Sequence, residues 1–326
     1  MITIKDVAER AGVSVATVSR VLNHDGNVSA ASRQKVINAA ETLGYQPNLL
    51  GRHLRQKRTN IILVMLASLS NTFCAKVIRG IEKEARQNGY QVLISATGYD
   101  AAVEQTDLDL VRKRLADGVI VLNSTLSAEA ISEFSAQYPL VQCNEYTDTE
   151  KTPYISIDNF AAGYEATTYL LNSGRRHIAF LGVSEQNVSA RLRYEGYVKA
   201  LQDYGIAPDQ RLVFNSNYGY RHTEKVMREF LGTKAAFDGL FAISDTMAAA
   251  ALNTMKQEGI CVPQDVAVVG FDDTEIAYMT EPALTTIAQP RSELGREALL
   301  MLLERMNGRP VANRFLQHTL VKRTSA

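Results

Sequence analysis

The chain has 326 residues, of which 46% are hydrophobic and 21% are charged, and these values predict two or three domains and exclude a disordered protein. Lys and Arg number 35, as do Asp and Glu, so the formal net charge is zero. The charges are unevenly spread, because residues 1–58 hold nine basic and four acidic side chains while the other 268 residues hold 26 and 31, and a basic head favours a polyanionic partner.

Three short helices are predicted at the start of the chain. Thr3 begins a capping-box pattern before the first helix, and Ser14 is a natural N-cap for a second helix that runs through Leu22. Ser29 is placed to cap the third helix, and Gly44 lies where that helix is expected to end. Two short helices joined by a tight turn are typical of a helix-turn-helix, whose second helix enters the major groove of DNA.

The exposed edge of the second helix carries side chains that suit DNA. Arg20 can bond a guanine edge through two hydrogen bonds. Thr17 and Ser19 can bond a phosphate or a base, and Val15 and Ala16 can contact thymine methyl groups. The same spacing fits any small three-helix bundle, but the positive charge of the head favours DNA. The predicted DNA-binding residues of the head are Thr3, Ser14, Val15, Ala16, Thr17, Ser19, Arg20, Asn23 and Val28.

From Thr59 onwards, short apolar runs alternate with amphipathic stretches, which predicts βαβ units and parallel sheets. The alternation occurs in two series, so we expect two doubly wound lobes with a cleft at the carboxyl ends of their strands. Strands are predicted at 61–67, 91–96, 118–122, 140–143, 177–181, 212–214, 239–243, 266–270 and 315–321. The helices predicted between them are 74–88, 102–116, 127–137, 190–204, 222–232 and 246–258.

Polar and aromatic residues beside the predicted strand ends are candidates for lining this cleft. They are Ser70, Asn71, Phe73, Asn144, Glu145, Arg191, Arg193, Tyr218, Ser244, Asp245, Asp272 and Asp273. An aromatic ring that stacks on a ligand, with Arg and Asp to bind hydroxyl groups, suits a sugar or a nucleoside. The alternative is that an Asp after a strand caps the next helix, and this is the interpretation we prefer for Asp245.

The run from Thr3 to Asn23 resembles the head of the lactose/galactose-repressor family of bacterial transcription regulators. The resemblance continues through Val28-Ser29, Thr42–Tyr45 and Pro47-Asn48 and extends along nearly the whole chain. Four further runs are most similar to family members that bind cytidine: Ile78–Glu82, Asn144-Glu145, Ile157–Asn159 and Leu284–Arg291. The fold that the resemblance implies is an α/β protein with an N-terminal all-α helix-turn-helix head and a two-lobed, doubly wound body like the periplasmic binding proteins.

The resemblance also implies the domain boundaries. It places a DNA-binding domain at 1–46, a hinge helix or linker at 47–58, and an effector-binding and dimerisation domain at 59–326. Within the latter, the first lobe is expected to comprise 59–159 and 290–318, and the second lobe 160–289 and 319–326.

The hinge segment is implied to bind DNA as well. In the family, a leucine that matches Leu54 wedges into the minor groove, and basic neighbours such as Arg55 lie on phosphates. Gly51 replaces the more usual alanine, which predicts a hinge helix that is weaker by roughly 1 kcal/mol. The alternative for this segment is a protease-sensitive linker with solvated charges.

The family's effector-contacting positions match six residues by local motif: Phe73, Asn144, Arg193, Tyr218, Asp272 and Gln289. Lactose-type regulators have Asp at the position of Asn144, so this chain departs from their pattern of hydroxyl recognition there. A nucleoside is the leading effector and a sugar is the alternative, and either release or recruitment of DNA by the effector is compatible with the sequence.

The implied function is a DNA-binding transcriptional regulator, expected to be a repressor, that acts as a homodimer on a pseudo-palindromic double-stranded operator. The three cysteines are far apart, no cofactor or metal is expected, and neither a signal peptide nor a membrane span is predicted, so we expect a nucleoid-associated protein of the bacterial cytoplasm. The alternatives are a sugar- or nucleoside-binding protein and an enzyme on the same fold. The absence of G-x-G-x-x-G, P-loop, H-E-x-x-H and G-x-S-x-G motifs disfavours the enzyme.

Overall fold

The structure is a computed structural model that describes residues 2–22, 27–45, 58–147, 152–183 and 187–326. The chain divides into two compact units, of which the first ends at Thr59 and the second begins at Asn60. The described helices of the first unit are α1 (Ile4–Ala11), α2 (Val15–Leu22) and α3 (Ala30–Leu43).

The helices of the first unit begin at the residues that the capping patterns predict. The Thr3 backbone N–H donates to Oδ2 of Asp6 at 2.7 Å, and the Thr17 N–H donates to Oγ of Ser14 at 3.1 Å. The Ser32 N–H donates to Oγ of Ser29 at 3.3 Å. These bonds satisfy donors that the first turn of a helix leaves without a partner, and they explain why three such short helices start where they do.

The first sheet of the second unit has six strands, all parallel, in the order β11-β5-β4-β3-β1-β2. Its strands are β1 (Ile61–Leu66), β2 (Gln91–Ala96), β3 (Gly118–Val121), β4 (Leu140–Cys143), β5 (Tyr154–Ile157) and β11 (Arg314–Leu316). Its helices are α4 (Thr72–Gln87), α5 (Ala101–Arg112), α6 (Ala128–Gln137) and α12 (Arg291–Met306). Alternate residues of β1 pack into two cores, one with α4 and α12 and the other with α5 and α6, so this strand is buried on both faces.

The second sheet also has six strands, in the order β12-β10-β9-β8-β6-β7, and only β12 pairs in the antiparallel sense. Its strands are β6 (Ile178–Val183), β7 (Val213–Ser216), β8 (Gly239–Ala242), β9 (Ala267–Asp272), β10 (Thr285–Ala288) and β12 (Thr319–Val321). Its helices are α7 (Asn159–Asn172), α8 (Val188–Asp203), α9 (Tyr220–Gly232), α10 (Asp245–Gln257) and α11 (Ile276–Met279), with a 3₁₀ turn at Gln210–Leu212.

The chain crosses between the two sheets after β5, after β10 and after β11. The single strand predicted at 315–321 is therefore wrong, because β11 and β12 belong to different sheets. His318 lies between them, is buried, and places its Nε2 3.1 Å from Oε2 of Glu165 on α7. This contact lies at the point where the chain leaves one sheet for the other.

Glycines allow two pairs of helices to pack with their backbones in close contact. A Cβ added at Gly163 on α7 would lie 2.3 Å from the backbone oxygen of Arg193 on α8, and Gly196 on α8 meets α7 as closely. In the first lobe, Gly80 on α4 and Gly295 on α12 form the corresponding pair. The close packing of α7 on α8 sets the position from which the Arg193 side chain reaches the carboxyl ends of the strands.

No helix in the described parts of the chain combines the length and the apolar character that a membrane span requires.

Candidate functional site

The exposed edge of α2 forms a candidate DNA-contacting surface. Val15, Ala16 and Arg20 are exposed, and Thr17 and Ser19 are partly exposed. The opposite face of the helix packs into the core of the first unit, so the edge is presented by a rigid element. A guanidinium, two hydroxyl groups and two small apolar side chains on one edge can contact base edges and phosphates in a major groove.

The other predicted DNA-binding residues fall in three groups. Thr3 and Ser14 are exposed, but their side chains also serve as helix caps. Val28 is half-buried and packs against the core of the first unit, so at least part of its role is structural. Three of the predicted contacts, Asn23, Leu54 and Arg55, lie outside the described residues, as does Gly51.

A cavity in the second unit lies where the carboxyl ends of the strands of both lobes meet. It is lined by Asn71, Phe73, Cys74, Tyr99, Leu122, Asn123, Asn144 and Glu145 of the first lobe and by Asn187, Ser189, Arg193, Tyr218, Asp272 and Gln289. The structure thus brings together all six of the residues predicted to contact an effector. Their spacing along the chain is wide, and the parallel sheets bring them to one place.

The first lobe contributes an aromatic ring and an amide. Phe73 lies in the first turn of α4, where Oδ1 of Asn71 accepts a hydrogen bond of 3.0 Å from the Phe73 N–H and so caps the helix. Asn144 follows β4 with φ of 75°, a left-handed conformation that is uncommon outside glycine. The Ser156 hydroxyl donates to the Asn144 carbonyl at 2.9 Å, which holds this turn against β5.

Arg193 is the buried cation of the site, with only 3% of its surface exposed. Its Nε donates to Oδ1 of Asn159 at 2.9 Å, and its Nη1 donates to the Ile243 carbonyl at 2.8 Å. The guanidinium carbon lies 3.6 Å from the centre of the Phe271 ring, a cation–π contact. These contacts fix the guanidinium in one orientation at the base of the cavity.

Asp272 ends β9 with φ of 102°, so its backbone adopts a conformation that costs free energy in a residue other than glycine. Burial raises the pKa of its carboxyl group to about 6, although Arg193, a hydrogen bond from Gln289 and the charge of Arg291 oppose this shift. The nearby carboxylate of Glu145 adds to the rise. At neutral pH the Asp272 carboxyl group is therefore mostly ionised although it is buried. A buried carboxylate can accept hydrogen bonds from the hydroxyl groups of a ligand.

Asp245 lies behind this turn, and the expectation that it caps the following helix is wrong. Ser244 is the N-cap of α10, because its Oγ accepts from the Met247 N–H at 3.3 Å. The Asp245 carboxylate instead accepts from the Thr274 N–H and from the Thr286 hydroxyl, both at 2.6 Å. Burial, followed by the charge of the Asp272 carboxylate, raises the pKa of Asp245 to about 7.

Tyr218 and Cys74 contribute neutral groups to the cavity. Burial raises the pKa of the Tyr218 hydroxyl well above its usual range, so the phenol remains a neutral hydrogen-bonding group. Burial, with the charges of Asp272 and Glu145, raises the pKa of the Cys74 thiol to about 12. Cys74 is therefore a protonated thiol rather than a nucleophile at neutral pH.

Several cavity residues were missed by the sequence-based predictions. Asn123 directly follows a predicted strand, so the rule that selected Asn144 could have selected it too. Glu145 was predicted to line the cleft, as it does, but it was not among the six residues expected to contact an effector. Asn187 and Ser189 begin α8 and carry no signal of their own for a cleft, because their position depends on how α8 packs.

The described parts of the chain contain no cluster of three or more His, Cys, Asp or Glu side chains that could hold a metal ion. A compact helix-turn-helix unit followed by a two-lobed α/β unit with a polar cavity defines a ligand-responsive, DNA-binding transcriptional regulator. Comparison with known proteins identifies the family.

Residues 3–48 match the model of the bacterial regulatory proteins of the lacI family, and residues 167–326 match that of the periplasmic binding protein-like domain. The chain is 37% identical to the transcriptional repressor CytR of Escherichia coli (strain K12), over 95% of this chain and 92% of that protein. It is 34% identical to the regulator RegA of Clostridium saccharobutylicum, over 99% of this chain and 98% of that protein. The chain belongs to the lacI family of bacterial regulatory proteins.

Comparison with solved structures supports the same family assignment. The lac repressor dimer bound to operator and the anti-inducer ONPF superposes with a TM-score of 0.91 at 30% identity, covering 99% of this chain and 98% of that one. The complex of the regulator CelR with cellobiose gives a TM-score of 0.76 at 30% identity, and all of both chains is covered. The predicted family, the predicted fold class and the predicted function as a DNA-binding transcriptional regulator with an effector-binding domain are thereby confirmed.

Proposed function

We propose that the protein is a transcriptional repressor, without enzymatic activity, that binds its operator as a homodimer in the bacterial cytoplasm and is switched by a nucleoside held between the two lobes. The observation that carries the proposal is the shared location of Phe73, Asn144, Arg193, Tyr218, Asp272 and Gln289 around one cavity. Two aromatic rings suit a planar base, and a carboxylate, a guanidinium and two amides suit the hydroxyl groups of a ribose.

The choice of a nucleoside over a sugar rests on the runs that resemble cytidine-binding members and on the likeness to the repressor CytR. A sugar is the second candidate, because CelR, which is similar over its whole length, was solved with cellobiose. Either ligand can shift DNA affinity only by its differential affinity for the two states of the body, typically roughly 1–3 kcal/mol of coupling.

A thermal-shift screen of the full chain against nucleosides and monosaccharides tests the ligand. We expect nucleosides to raise the melting temperature and Arg193→Ala and Asp272→Ala to abolish the shift. Glu133→Ala, at an exposed position on α6, is the matched control and should keep the full shift. If only sugars raise the melting temperature, the nucleoside proposal fails; if both cavity variants keep the shift, the assignment of the cavity fails.

The operator is proposed to be a pseudo-palindrome with half-sites about 10 bp apart, because one helix-turn-helix reads only a few base pairs. A flexible pyrimidine–purine step, CG in our proposal, is expected at its centre, where Leu54 from each protomer would need a step that unstacks at low cost. A gel shift with genomic fragments tests DNA binding. Salt-sensitive, sequence-selective retardation is expected, whereas a transport protein or an enzyme would show none.

Two exposed apolar patches of the second unit support dimerisation. On the edge strand β2, Leu93 and Ile94 are 43% and 42% exposed. On α11, Tyr278 and Met279 are 65% and 80% exposed. Leu93 and Ile94 project to opposite faces of the sheet at its open edge, whereas Tyr278 and Met279 share one short helix. Apolar side chains this exposed at a sheet edge or on a short helix are typical of a protein–protein interface, and a homodimer would bury them. We therefore propose both patches as parts of the dimer interface.

A further inference from the structure

The N-terminus of α8 is capped from the other lobe. Asn187 occupies its N-cap position, but the Asn187 side chain accepts no capping hydrogen bond. The Glu145 carboxylate of the first lobe takes this place, because its Oε2 accepts from the Ser189 N–H at 3.2 Å and its Oε1 accepts from the Ser189 hydroxyl. The free N–H groups of a helix N-terminus attract an anion, so charge and hydrogen bonding favour the same contact.

This contact spans a cleft that is closed. Ser189 is 1% exposed, and the cavity around it has a volume of only about 40 Å³. Sites for small molecules usually measure roughly 300–1,000 Å³, so the lobes lie too close together to admit a nucleoside. The two lobes are therefore in direct contact across the cleft, and the Glu145–Ser189 pair is a charged contact that joins them.

We propose that Glu145 is a closing residue, which holds the two lobes together by capping α8 across the cleft. The role of this contact in switching rests on the proposed function, because a ligand that enters the cavity must first break the Glu145–Ser189 contact. The contact thereby sets the population of the open body. An effector that binds only the open body has an apparent affinity proportional to that population, so a stronger contact means weaker effector binding.

The three cysteines of the chain allow a direct measurement of opening. Cys74 lines the cavity and is buried, Cys143 is buried in the core of the first lobe, and Cys261 is exposed. In the ligand-free full chain, a thiol reagent such as DTNB should therefore modify Cys261 quickly, Cys74 slowly through opening of the cleft, and Cys143 only through unfolding. The variant Cys74→Ser identifies the slow phase, because that phase must be missing in it.

Two variants separate opening from simple electrostatics. Glu145→Ala removes the closing carboxylate, but it also removes a charge that raises the pKa of the Cys74 thiol. Ser189→Ala removes a hydrogen bond to the carboxylate and leaves that charge in place. We expect both to accelerate the slow phase by about tenfold or more, as the loss of a hydrogen bond to a charged group implies. Glu133→Gln, an exposed charge change in the same lobe, should leave the rate unchanged.

An unchanged slow phase in both variants overturns the proposal, and so does acceleration in Glu145→Ala alone, which would be an effect of charge on the thiol. Modification of Cys143 together with Cys74 would reveal unfolding in place of opening. If Glu145→Ala unfolds in this way, the rate at which Cys74 is modified in Ser189→Ala decides between the two outcomes, because this conservative change only removes a hydroxyl group. Neither DNA nor a nucleoside takes part in the measurement, so failure of the closing residue leaves the proposed regulator function standing.

Discussion

The Nε2 of Gln289 donates a hydrogen bond of 2.8 Å to Oδ1 of Asp272, and the two residues leave neighbouring parallel strands at the same level. Within the described residues, no donor reaches the other amide atom, Oε1 of Gln289, which is buried beside the cavity. A buried acceptor without a partner costs free energy that a ligand donor would recover. The pair thus offers a hydroxyl-bearing ligand a carboxylate and an amide oxygen side by side.

Nucleoside affinity should depend on pH through Asp272. The pKa of this carboxyl group is about 6, and its ionised form offers more acceptor sites and stronger hydrogen bonds to hydroxyl groups than its protonated form. We therefore expect the affinity measured by isothermal titration calorimetry to fall as the pH drops from about 7.5 to about 5. In Asp272→Asn the affinity should be lower and nearly independent of pH. A variant that retains the wild-type pH dependence would assign it to another group.

The stability of the ligand-free protein should change with pH in the opposite direction. Burial raises the pKa values of Asp245 and Asp272 to about 7 and about 6 from their usual 3.8, so the folded chain binds protons more tightly than the unfolded chain. These two groups therefore favour the folded state most below pH 3.8, and their contribution to stability is lost progressively as the pH rises from 3.8 through the folded pKa values of about 6 and about 7.

Asp245→Asn tests this sign. At about pH 8 the variant should melt above the wild-type protein, because it removes a buried charge, and the difference should narrow steadily as the pH falls and vanish only below the usual pKa of 3.8. The measurement is differential scanning calorimetry of the ligand-free chain across this range. A variant that melts below the wild type at every pH would show that the hydrogen bonds to Thr274 and Thr286 outweigh the cost of the buried charge.

Gly163→Ala should destabilise the second lobe and weaken ligand binding. The added Cβ would lie 2.3 Å from the backbone oxygen of Arg193, so α7 and α8 must move apart. Overpacking of this kind typically costs roughly 1–3 kcal/mol, which urea unfolding can measure. Gly232→Ala, in α9, is the matched control, because its Cβ would meet nothing within 4 Å. Equal stabilities of the two variants would mean that the helix contact is not tight.

Arg20→Ala should reduce operator affinity by roughly 1–3 kcal/mol and relax the choice of base at one position of each half-site. The exposed guanidinium lies on the edge of α2, where it can bond a guanine through two donors. Binding to a set of operators with single-base changes measures both effects. Arg10→Ala, which removes an equal charge from α1, should weaken binding to all sequences alike. The same uniform loss in Arg20→Ala would make Arg20 a phosphate contact.

Met279→Glu should weaken the dimer. The side chain is 80% exposed beside Tyr278, and a carboxylate buried at a dimer interface would carry a desolvation cost. Analytical ultracentrifugation at micromolar concentration should show a shift toward monomer, with a parallel loss of operator binding. Leu115→Glu, at an apolar position that is 53% exposed in the first lobe, is expected to leave assembly unchanged. A dimer that survives Met279→Glu would move the interface away from α11.

The sequence by itself determined the elements whose signals are local. Ser14 and Ser29 cap helices through bonds to residues three positions ahead, and alternation of apolar runs with amphipathic stretches indicated both parallel sheets. Yet α7 and α12 were not predicted, although both are regular helices. Each carries an interior glycine, Gly163 or Gly295, whose role in close helix packing only the tertiary structure reveals, but α4 and α8 carry such glycines too and were predicted, so helix propensity does not explain the omission.

The six positions expected to contact an effector could be named from family motifs, but the conformation, burial and hydrogen bonds of the residues around them could not. The left-handed backbone of Asp272, the buried acceptor position of Asp245 and the bond from Ser189 to Glu145 each depend on residues that are distant in sequence. Contacts of this kind leave no period or spacing in the chain. Tertiary structure alone decided them, because burial and packing between lobes determine which charges are desolvated and which helix terminus meets which carboxylate.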